Sequence, residues 1–307
     1  MVNVNRQRQA KNMIGQTSAE KQTVLITGAT GQVGTLLIQC LRERGNVNII
    51  LAARDPKKLA DSGLPVRYFD YDDPASLLPA LHGVDTVFMM TGYTLAMLGQ
   101  SKIFIDEARK SGVRHIVHLG ACGDDNTRVA HWAWHQLIER YIEWAGFDYT
   151  HLRPESYMQN LLGYQGDNQH PAGVLSDYFG DATLSWVSCE DVAEVAAACL
   201  SAPAEHRNRV YRLGYDAKNY HEIAAIISEI TGIDYRYEAL SPEVFREFAQ
   251  KQGLDPAYMK SIYDHYIAFS EFRIPGAGTT FDNFAAITGK QPMSVSGFIL
   301  KYRHRFR

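Results

Sequence analysis

The sequence contains 307 residues, 46% of them hydrophobic, and its formal net charge at pH 7 is −3. This composition is typical of a globular protein with enough apolar material for a core, and the length fits one large domain plus a smaller appended part. Charge excludes a strongly basic nucleic-acid-binding surface, because Lys and Arg are scattered except in a short basic tail at 301–307, which we interpret as a solvated end.

No apolar run reaches the roughly 20 residues that a bilayer span requires, and the N-terminus lacks the basic and then apolar order of a signal peptide. We therefore expect a cytoplasmic protein without a membrane segment. The four cysteines have no CxxC spacing, so the sequence indicates neither a zinc site nor a disulfide framework. Residues 1–21 are polar and without periodicity, which predicts a flexible N-terminal extension.

The first predicted strand, Val24–Ile26, runs directly into a glycine-rich turn and then into a helix that ends near Gly45. Glycines at three-residue intervals permit a tight turn, and the N–H groups and dipole of the following helix suit a pyrophosphate. The alternative is an ordinary glycine-rich turn between a strand and a helix. We predict dinucleotide binding, with contacts from the turn and the helix start: Gly28, Thr30, Gly31, Gln32, Val33 and Gly34.

The second predicted strand, 47–53, ends about 20 residues beyond the last of these glycines, where dinucleotide-binding folds meet the adenosine ribose. Arg54 stands at this strand end, and its planar guanidinium suits a 2′-phosphate, with Lys58 as a second positive charge. NADP(H) is therefore favoured over NAD(H). The alternatives are a solvated basic loop and a ribose contact from Asp55.

A third strand is predicted at 65–71 and a short helix at 74–81, capped by Asp72 or Asp73. Asp70 and Tyr71 either border the adenine or form a capped turn with a packed tyrosine. The fourth strand, 84–90, leads into Thr91, Gly92 and Tyr93. Because ligands bind at the carboxyl ends of parallel strands, we expect this loop beside the ribose and nicotinamide.

A helix at 103–111 and a fifth strand at 113–122 continue the alternation of strands and helices, and Gly120 in that strand is a further predicted cofactor contact. The next helix, 132–144, is preceded by His131 and contains His135, and the strand after it ends at Pro154, also predicted to contact the cofactor. This order predicts an α/β fold with a doubly wound parallel sheet of the Rossmann type.

Residues 22–160 are predicted to form the dinucleotide-binding core, and 161–307 a mixed substrate and cap region in which 181–215 returns to the core. The polar stretch 163–180 is predicted to be a lid. The remainder is predicted to be mainly helical, with Tyr258, Tyr263, Tyr266 and Phe269 packing over the cleft.

Several motifs together resemble the NmrA-like branch of the atypical short-chain dehydrogenases/reductases: TGATGQVG (27–34), AARDPKK (52–58), FDYDDPASL (69–77), YTHLRPESYMQN (149–160) and EDVAEVAAACL (190–200). The resemblance covers nearly the whole chain after Lys21. It implies the fold above and an NADPH-dependent reductase, since the family includes quinone and triphenylmethane dye reductases. It also includes redox-sensing transcriptional regulators without turnover.

Typical short-chain dehydrogenases use a serine and a Tyr-x-x-x-Lys pair for proton transfer. Here the corresponding helix contains no such pair. The resemblance places His135 where relatives often carry a ribose-contacting lysine, and Ala121–Cys122 at the serine position. Cys122 is interpreted as a buried small residue, with a redox-sensitive thiol as the alternative.

The candidate catalytic residues are His135, His131 and Tyr157. A histidine near the ribose or the substrate suits a proton donor. The alternatives are a hydrogen-bonded structural histidine and a metal pair, and the absence of a third ligand nearby argues against a metal. The resemblance implies that Tyr157 contacts cofactor or substrate. Aromatic side chains including Tyr93, Trp132 and Trp134 are candidate pocket walls, or simply core.

The first functional hypothesis is an NADPH-dependent oxidoreductase that transfers hydride to a quinone or another conjugated aromatic or carbonyl molecule. The second is an NADP(H)-binding redox sensor without turnover, which the missing Tyr-Lys pair favours. The third is an isomerase, or a reductase of a biosynthetic intermediate, with His131 or His135 as acid. The expected partner is a small aromatic or quinone-like substrate, and the oligomeric state, a homodimer included, stays open.

Overall fold

The computed structural model describes residues 21–163 and 173–306. The predicted N-terminal extension, apart from Lys21, and residues 164–172 of the predicted lid lie outside these residues. The described strands are β1 (Thr23–Ile26), β2 (Asn48–Ala53), β3 (Val66–Tyr68), β4 (Thr86–Met89), β5 (His115–Leu119), β6 (Asp148–Pro154), β7 (Ser156–Tyr157), β8 (Val174–Asp177), β9 (Leu184–Val187), β10 (Arg209–Leu213), β11 (Asp216–Lys218) and β12 (Arg236–Ala239).

The described helices alternate with these strands in the first half of the chain and dominate the second half. They are α1 (Gln32–Arg44), α2 (Leu77–Leu81), α3 (Met97–Lys110), α4 (Ala130–Trp144), α5 (Cys189–Ser201), α6 (Pro203–His206), α7 (Tyr220–Thr231), α8 (Pro242–Lys251), α9 (Pro256–Ser270), α10 (Phe284–Thr288) and α11 (Val295–Lys301). Within the described parts of the chain, none of these helices combines the length and apolarity that crossing a bilayer requires.

Seven strands form one sheet in the order β10-β6-β5-β4-β1-β2-β3, and all neighbouring pairs are parallel. Alternate side chains of β1 divide between two cores, since Val24 and Ile26 pack with α1 and α5, whereas Leu25 packs with α3 and α4. Helices therefore cover both faces of the sheet, and the predicted doubly wound fold is confirmed. The order reverses beside β1 and β4, which places the switch point at the predicted glycine turn.

A third apolar core lies over one end of the sheet. Strands β8 and β12 pair in parallel there, and helices α7, α8 and α9 pack with them; we call these two strands and three helices the cap. Trp132 of α4 joins the same core, so the cap rests directly on the sheet domain. Strand β8 lies inside the stretch that the sequence analysis interprets as a lid.

Candidate active site

The turn after β1 leaves no room for side chains at its glycines. Gly28 has φ +64°, a conformation that favours glycine, and a Cβ there would lie 2.7 Å from Sδ of Met90. The N–H of Gly31 donates to the carbonyl of Gly28 at 2.9 Å. A Cβ on Gly34 would overlap that same carbonyl. The chain therefore curls closely around the start of α1.

Helix α1 begins without a side-chain cap, because its N-cap residue is Gly31. Thr30 and Gln32 are exposed on this turn, whereas Val33 is buried and offers only its backbone to a ligand. A glycine cradle below uncapped helix N–H groups fits the pyrophosphate of a dinucleotide.

The ends of β1 and β4 are joined by side-chain hydrogen bonds at the switch point. The Thr27 hydroxyl donates to the Phe88 carbonyl at 3.0 Å and accepts from the Met90 N–H at 2.8 Å. The Tyr71 hydroxyl donates to the Met90 carbonyl at 2.8 Å, and its ring packs edge-on against Phe69. These bonds favour the packed-tyrosine interpretation of Tyr71.

The loop after β2 exposes three cations, Arg54, Lys57 and Lys58, and uses its carboxylate to cap a turn. Asp55 accepts from the N–H of Lys57 at 3.1 Å and so caps the 3-10 turn Pro56–Ser62. Arg54 and Lys58 are exposed, and within the described residues no hydrogen bond or ion pair engages either side chain. Asp70, at the next strand end, accepts from the N–H of Asp72 at 3.0 Å. The arginine is thus left available to an anion.

Three further strand ends border the cleft. Thr91 is half-buried, Gly92 is exposed and the Tyr93 side chain is 80% exposed, which is unusual for so large an aromatic ring. Gly120 follows β5, and a Cβ there would lie 3.2 Å from Oε1 of the buried Glu139. Pro154 is the buried last residue of β6. The structure brings these predicted cofactor contacts to the same edge of the sheet as Gly28.

His131 is enclosed between α4 and α9. Its N–H donates to Oγ of Ser261 at 2.8 Å, and its Nδ1 lies 2.8 Å from the same oxygen. Because the backbone N–H already donates to that oxygen, the serine hydroxyl can donate to Nδ1. Burial holds the pKa of His131 well below its ordinary value. These contacts favour a hydrogen-bonded structural histidine over an acid.

His135 is buried one turn further along α4. Its Nδ1 lies 3.4 Å from Nε2 of His118 on β5, and burial lowers its pKa from 6.5 to about 4. His118 and His151 are both fully buried, and in the described part of the chain no hydrogen bond reaches Nδ1 of either ring. His135 thus belongs to a buried histidine cluster inside the sheet domain, and its predicted contact with the cofactor ribose stays a prediction.

His118, Glu139 and His151 bring ligand-type atoms within 4.8 Å of one another. However, Nε of Arg153 donates to both oxygens of Glu139, at 3.0 and 3.2 Å, and Arg153 is itself buried. The carboxylate is therefore already neutralised by a guanidinium, which makes it a poor metal ligand. Nη1 of Arg153 also donates to the carbonyl of Gly123, so this ion pair supports the loop after β5.

Tyr157 is the half-buried last residue of β7, and its hydroxyl makes no hydrogen bond to the described residues. Burial raises its pKa well above the ordinary value, and Cys189, Tyr93 and Cys122 raise it further. Burial also raises the pKa of the Cys189 thiol to about 12 and that of the Cys122 thiol well above 9. A protonated phenol and two protonated thiols therefore lie near the exposed Tyr93 ring.

Sequence reasoning missed two contributors to this cleft. Cys189 begins α5 and lies 4.0 Å from Oε1 of Gln32, so it borders the start of α1 from a distant part of the chain. Tyr258, predicted only to pack over the cleft, contacts the rings of Tyr93 and His131 at centroid distances of 5.7 and 5.6 Å. Neither Cys189 nor Tyr258 lies in a local sequence pattern that distinguishes it from an ordinary residue of the hydrophobic core.

Comparison with known proteins places this geometry among nicotinamide-dependent reductases. A (4-alkanoyl-5-oxo-2,5-dihydrofuran-3-yl)methyl phosphate reductase of Streptomyces griseus is 32% identical, with 83% of this chain and 88% of the relative covered. Two solved structures are each 26% identical and cover 91% of this chain and 99% of the other: Citrobacter sp. triphenylmethane reductase with NADP(H), TM-score 0.76, and an NADPH-dependent quinone oxidoreductase of Escherichia coli with NADPH, TM-score 0.75.

The family model described as the NmrA-like family matches residues 20–298, which includes the glycine turn, the basic loop and the cap. Sequence motifs, sheet order and site geometry agree with that match. The chain belongs to the NmrA-like family.

Proposed function

We propose that this chain is an NADP(H)-dependent reductase that transfers hydride to a quinone or another conjugated aromatic or carbonyl compound. Family membership and the similarity to two reductases solved with NADPH or NADP(H) support the reductase class and the cofactor. The observation that carries the choice of acceptor is the Tyr157 hydroxyl, which has no hydrogen-bond partner within the described residues and counts the exposed Tyr93 among the groups that raise its pKa.

The residues that would hold the cofactor are those of the glycine turn, the loop with Arg54 and Lys58, and the strand ends at Thr91 and Gly120. When bound, the nicotinamide supplies the hydride. The protein orients the two reactants, keeps water from the cleft, and places hydrogen-bond donors where negative charge develops. Gly28 and Gly34 let the chain approach the pyrophosphate closely, and Arg54 offers a fork to the 2′-phosphate.

Tyr157 is the chain's candidate donor to the acceptor oxygen. Because its pKa is raised, the hydroxyl stays protonated at neutral pH and can stabilise an oxyanion that forms as hydride arrives. The exposed face of Tyr93 suits stacking against a flat conjugated ring. A quinone accepts hydride without a strong acid, which fits a site with no lysine beside its tyrosine.

The two alternative functions make different demands on the site. A redox sensor needs only the cofactor turn and a surface that responds to it, and the absent Tyr-Lys pair is its support. An isomerase or reductase that uses His131 or His135 as acid requires a histidine that is protonated near neutral pH. Burial lowers the pKa of both, and His131 also bonds Ser261, so the geometry disfavours that role.

The test follows NADPH and NADH oxidation against a panel of quinones, triphenylmethane dyes and conjugated ketones, with cofactor binding titrated on the same sample. We expect turnover with NADPH well above NADH. Tyr157→Phe should lower kcat about 100-fold, the size typical of losing one oxyanion donor. The control Tyr263→Phe removes a hydroxyl that bonds Glu243 on the surface and should leave kcat unchanged. Tight cofactor binding without turnover on any acceptor would instead establish the sensor.

A further inference from the structure

Strand β7, which ends at Tyr157, is held by little backbone pairing. It has two residues, and it pairs in parallel with β9 in the register Ser156 with Trp186 and Tyr157 with Val187. Strand β9 pairs on its other side with β11, so β7 is an edge strand in the described part of the chain. Two paired residues supply few backbone hydrogen bonds. The position of Tyr157 therefore depends on what holds the chain just beyond it.

The side chain of Gln159 continues this ladder where the backbone pairing ends. Its Oε1 accepts from the N–H of Cys189 at 2.9 Å, which joins residues 159 and 189 as the strand pairing joins 157 and 187. Cys189 begins α5, and its N–H is one of the donors that no carbonyl within the helix reaches. Met158 is buried in the third apolar core. Gln159 therefore supplies the attachment on the side of α5.

A carboxylate fixes the direction in which the Gln159 amide points. Nε2 of Gln159 donates to Oε2 of Glu190 at 2.6 Å. An ionised carboxylate only accepts and a backbone N–H only donates, so the amide satisfies Glu190 and Cys189 together in one orientation and neither of them when flipped. The Gln159 side chain is therefore locked between two groups in the first turn of α5.

The C-terminal part of the chain holds this carboxylate in place. Oε1 of Glu190 accepts from Nζ of Lys301 at 2.7 Å and from the Tyr302 hydroxyl at 2.6 Å. Burial raises the pKa of Glu190, but the hydrogen bonds from Lys301 and Tyr302 outweigh it and the pKa is lowered, so the group is ionised at neutral pH. Lys301 ends α11, whose Phe298 and Ile299 are buried in the third apolar core.

We propose that Gln159 is a positioning residue that holds the Tyr157 hydroxyl toward the acceptor, and that Glu190, Lys301 and Tyr302 keep the Gln159 amide in its working orientation. The inference rests on the proposed function, in which Tyr157 donates to the acceptor oxygen, and it adds a residue that touches neither reactant. Without the amide, the end of β7 is free to shift. A displacement of about 1 Å is enough to weaken catalysis about 100-fold.

The first test exchanges the donor and the acceptor between Gln159 and Glu190. Gln159→Glu sets two carboxylates against each other, Glu190→Gln sets two amides against each other, and the double variant restores one donor facing one acceptor. Tetramethyl-1,4-benzoquinone is titrated at about pH 8 into the protein saturated with NADP⁺, which has no hydride to donate, and quenching of tryptophan fluorescence reports binding. Each single variant should weaken binding about fivefold, and the double variant should bind as the wild type does.

The second test asks whether Gln159 acts through the Tyr157 hydroxyl. Tyr157→Phe should weaken quinone binding about tenfold, the loss typical of one hydrogen bond, and Gln159→Glu should add no further loss in that background. A merely structural role would weaken binding by the same factor with and without the hydroxyl. Gln39→Glu is the matched control, because Gln39 donates to Glu43 at 3.5 Å on the exposed surface of α1, and it should leave quinone affinity unchanged.

Four outcomes overturn the proposal: unchanged quinone affinity in Gln159→Glu, the same loss in the Tyr157→Phe background, a double variant that binds no better than the single variants, or no quinone binding by the wild type. Failure of the proposed function has a different signature. It is the expected pattern of quinone affinities without NADPH oxidation by the wild-type protein, and that result supports the positioning role while removing the reaction.

Discussion

Burial has opposite consequences for the two kinds of candidate acid in the cleft. It removes the proton from His135, whose pKa falls to about 4, and it keeps the proton on Tyr157, whose pKa rises. Burial disfavours whichever form is charged, and the charged form is the acid for histidine and the base for tyrosine. At neutral pH the tyrosine hydroxyl is therefore protonated and can donate, whereas the neutral imidazole lacks the acidic second proton of an imidazolium.

Gly34→Ala should damage the cofactor turn, because the added Cβ overlaps the Gly28 carbonyl and the backbone must move. Overpacking of this kind costs about 1–3 kcal/mol, and where the turn must regain its native shape to bind, this cost corresponds to about 5- to 150-fold weaker NADPH binding. Fluorescence titration with NADPH measures the loss. Gly99→Ala is the matched control, since Gly99 lies on helix α3 with no atom within 4 Å of the new Cβ, and it should bind NADPH normally.

Arg54→Gln should weaken NADPH binding and leave NADH binding unchanged, because only NADPH carries the 2′-phosphate. A charge-assisted hydrogen bond contributes about 1.5–3 kcal/mol, so we expect a loss of roughly 10- to 100-fold. Lys57→Gln removes the same charge from the same exposed turn, and isothermal titration should find both affinities near wild type. Equal losses for NADPH and NADH in Arg54→Gln would place the arginine elsewhere than at the 2′-phosphate.

At the scale of elements, the strands of the main sheet were predictable and those of the cap were not. Helices cover both faces of the main sheet, so β1 and β4 are continuous apolar runs that the sequence displays directly. Strand β12, by contrast, is largely exposed and contains Arg236 and Glu238. Its pairing with β8 depends on chain segments about 60 residues apart, which no local pattern encodes.

The residues of the candidate site fall into the same two groups, those that a local sequence pattern predicts and those whose neighbours come from distant parts of the chain. The glycine turn and the basic loop each lie within one short segment, so the chemistry of both could be predicted from residues that stand next to one another. The environment of His131 could not, because its partner Ser261 lies 130 residues further along the chain. The same holds for Tyr258, since Asp255 connects the start of its helix to the distant loop after β4.

Strand β8 carries a buried carboxyl group whose ionisation destabilises the cap. Asp177 accepts from the Tyr220 hydroxyl and the Tyr178 N–H, yet burial raises its pKa from 3.8 to about 6. A raised carboxyl pKa means that the folded state binds the proton more tightly. The stabilising contribution is therefore present below pH 3.8 and is lost as pH rises through 6.

Asp177→Asn, which is neutral at every pH, should match the wild type near pH 4 and exceed its unfolding free energy by about 3 kcal/mol at pH 7 to 8. Urea unfolding across this range measures the difference. A constant difference at all pH values would mean that the substitution acts through packing and not through the proton.

At the scale of the whole molecule, the burial of histidines makes the fold sensitive to acid. Within the described residues burial lowers the pKa of six of them: His115 and His135 to about 4, His265 to about 3, His118 and His131 well below 6.5, and His206 below 6.5. Unfolding lets each ring bind a proton near pH 6.5. The contribution of these histidines to the free energy of unfolding is therefore fully present above pH 6.5 and is lost as the pH falls toward 4.

The three histidines with a pKa of about 3 to 4, His115, His135 and His265, should each cost about 2 kcal/mol between pH 7 and pH 5, and Asp177 and Asp191, whose pKa is raised to about 6, should return about 1 kcal/mol each. The other buried histidines shift the balance in the same direction, so the net loss is a large part of the stability of a typical domain and we expect acid unfolding near pH 5 by circular dichroism. His265→Phe should lower that midpoint, whereas the exposed His221→Gln should not. A protein that is stable at pH 4 would contradict this account.

The raised pKa of the Cys189 thiol bears on how the site would tolerate the electrophilic acceptor proposed above. Quinones add to thiolates, and with a pKa of about 12 only about one Cys189 in 100,000 is a thiolate at pH 7. Burial raises the pKa of the Cys122 thiol as well. Under the proposed function, both thiols therefore stay protonated and react slowly with a quinone, so reduction competes with little loss of protein to covalent addition.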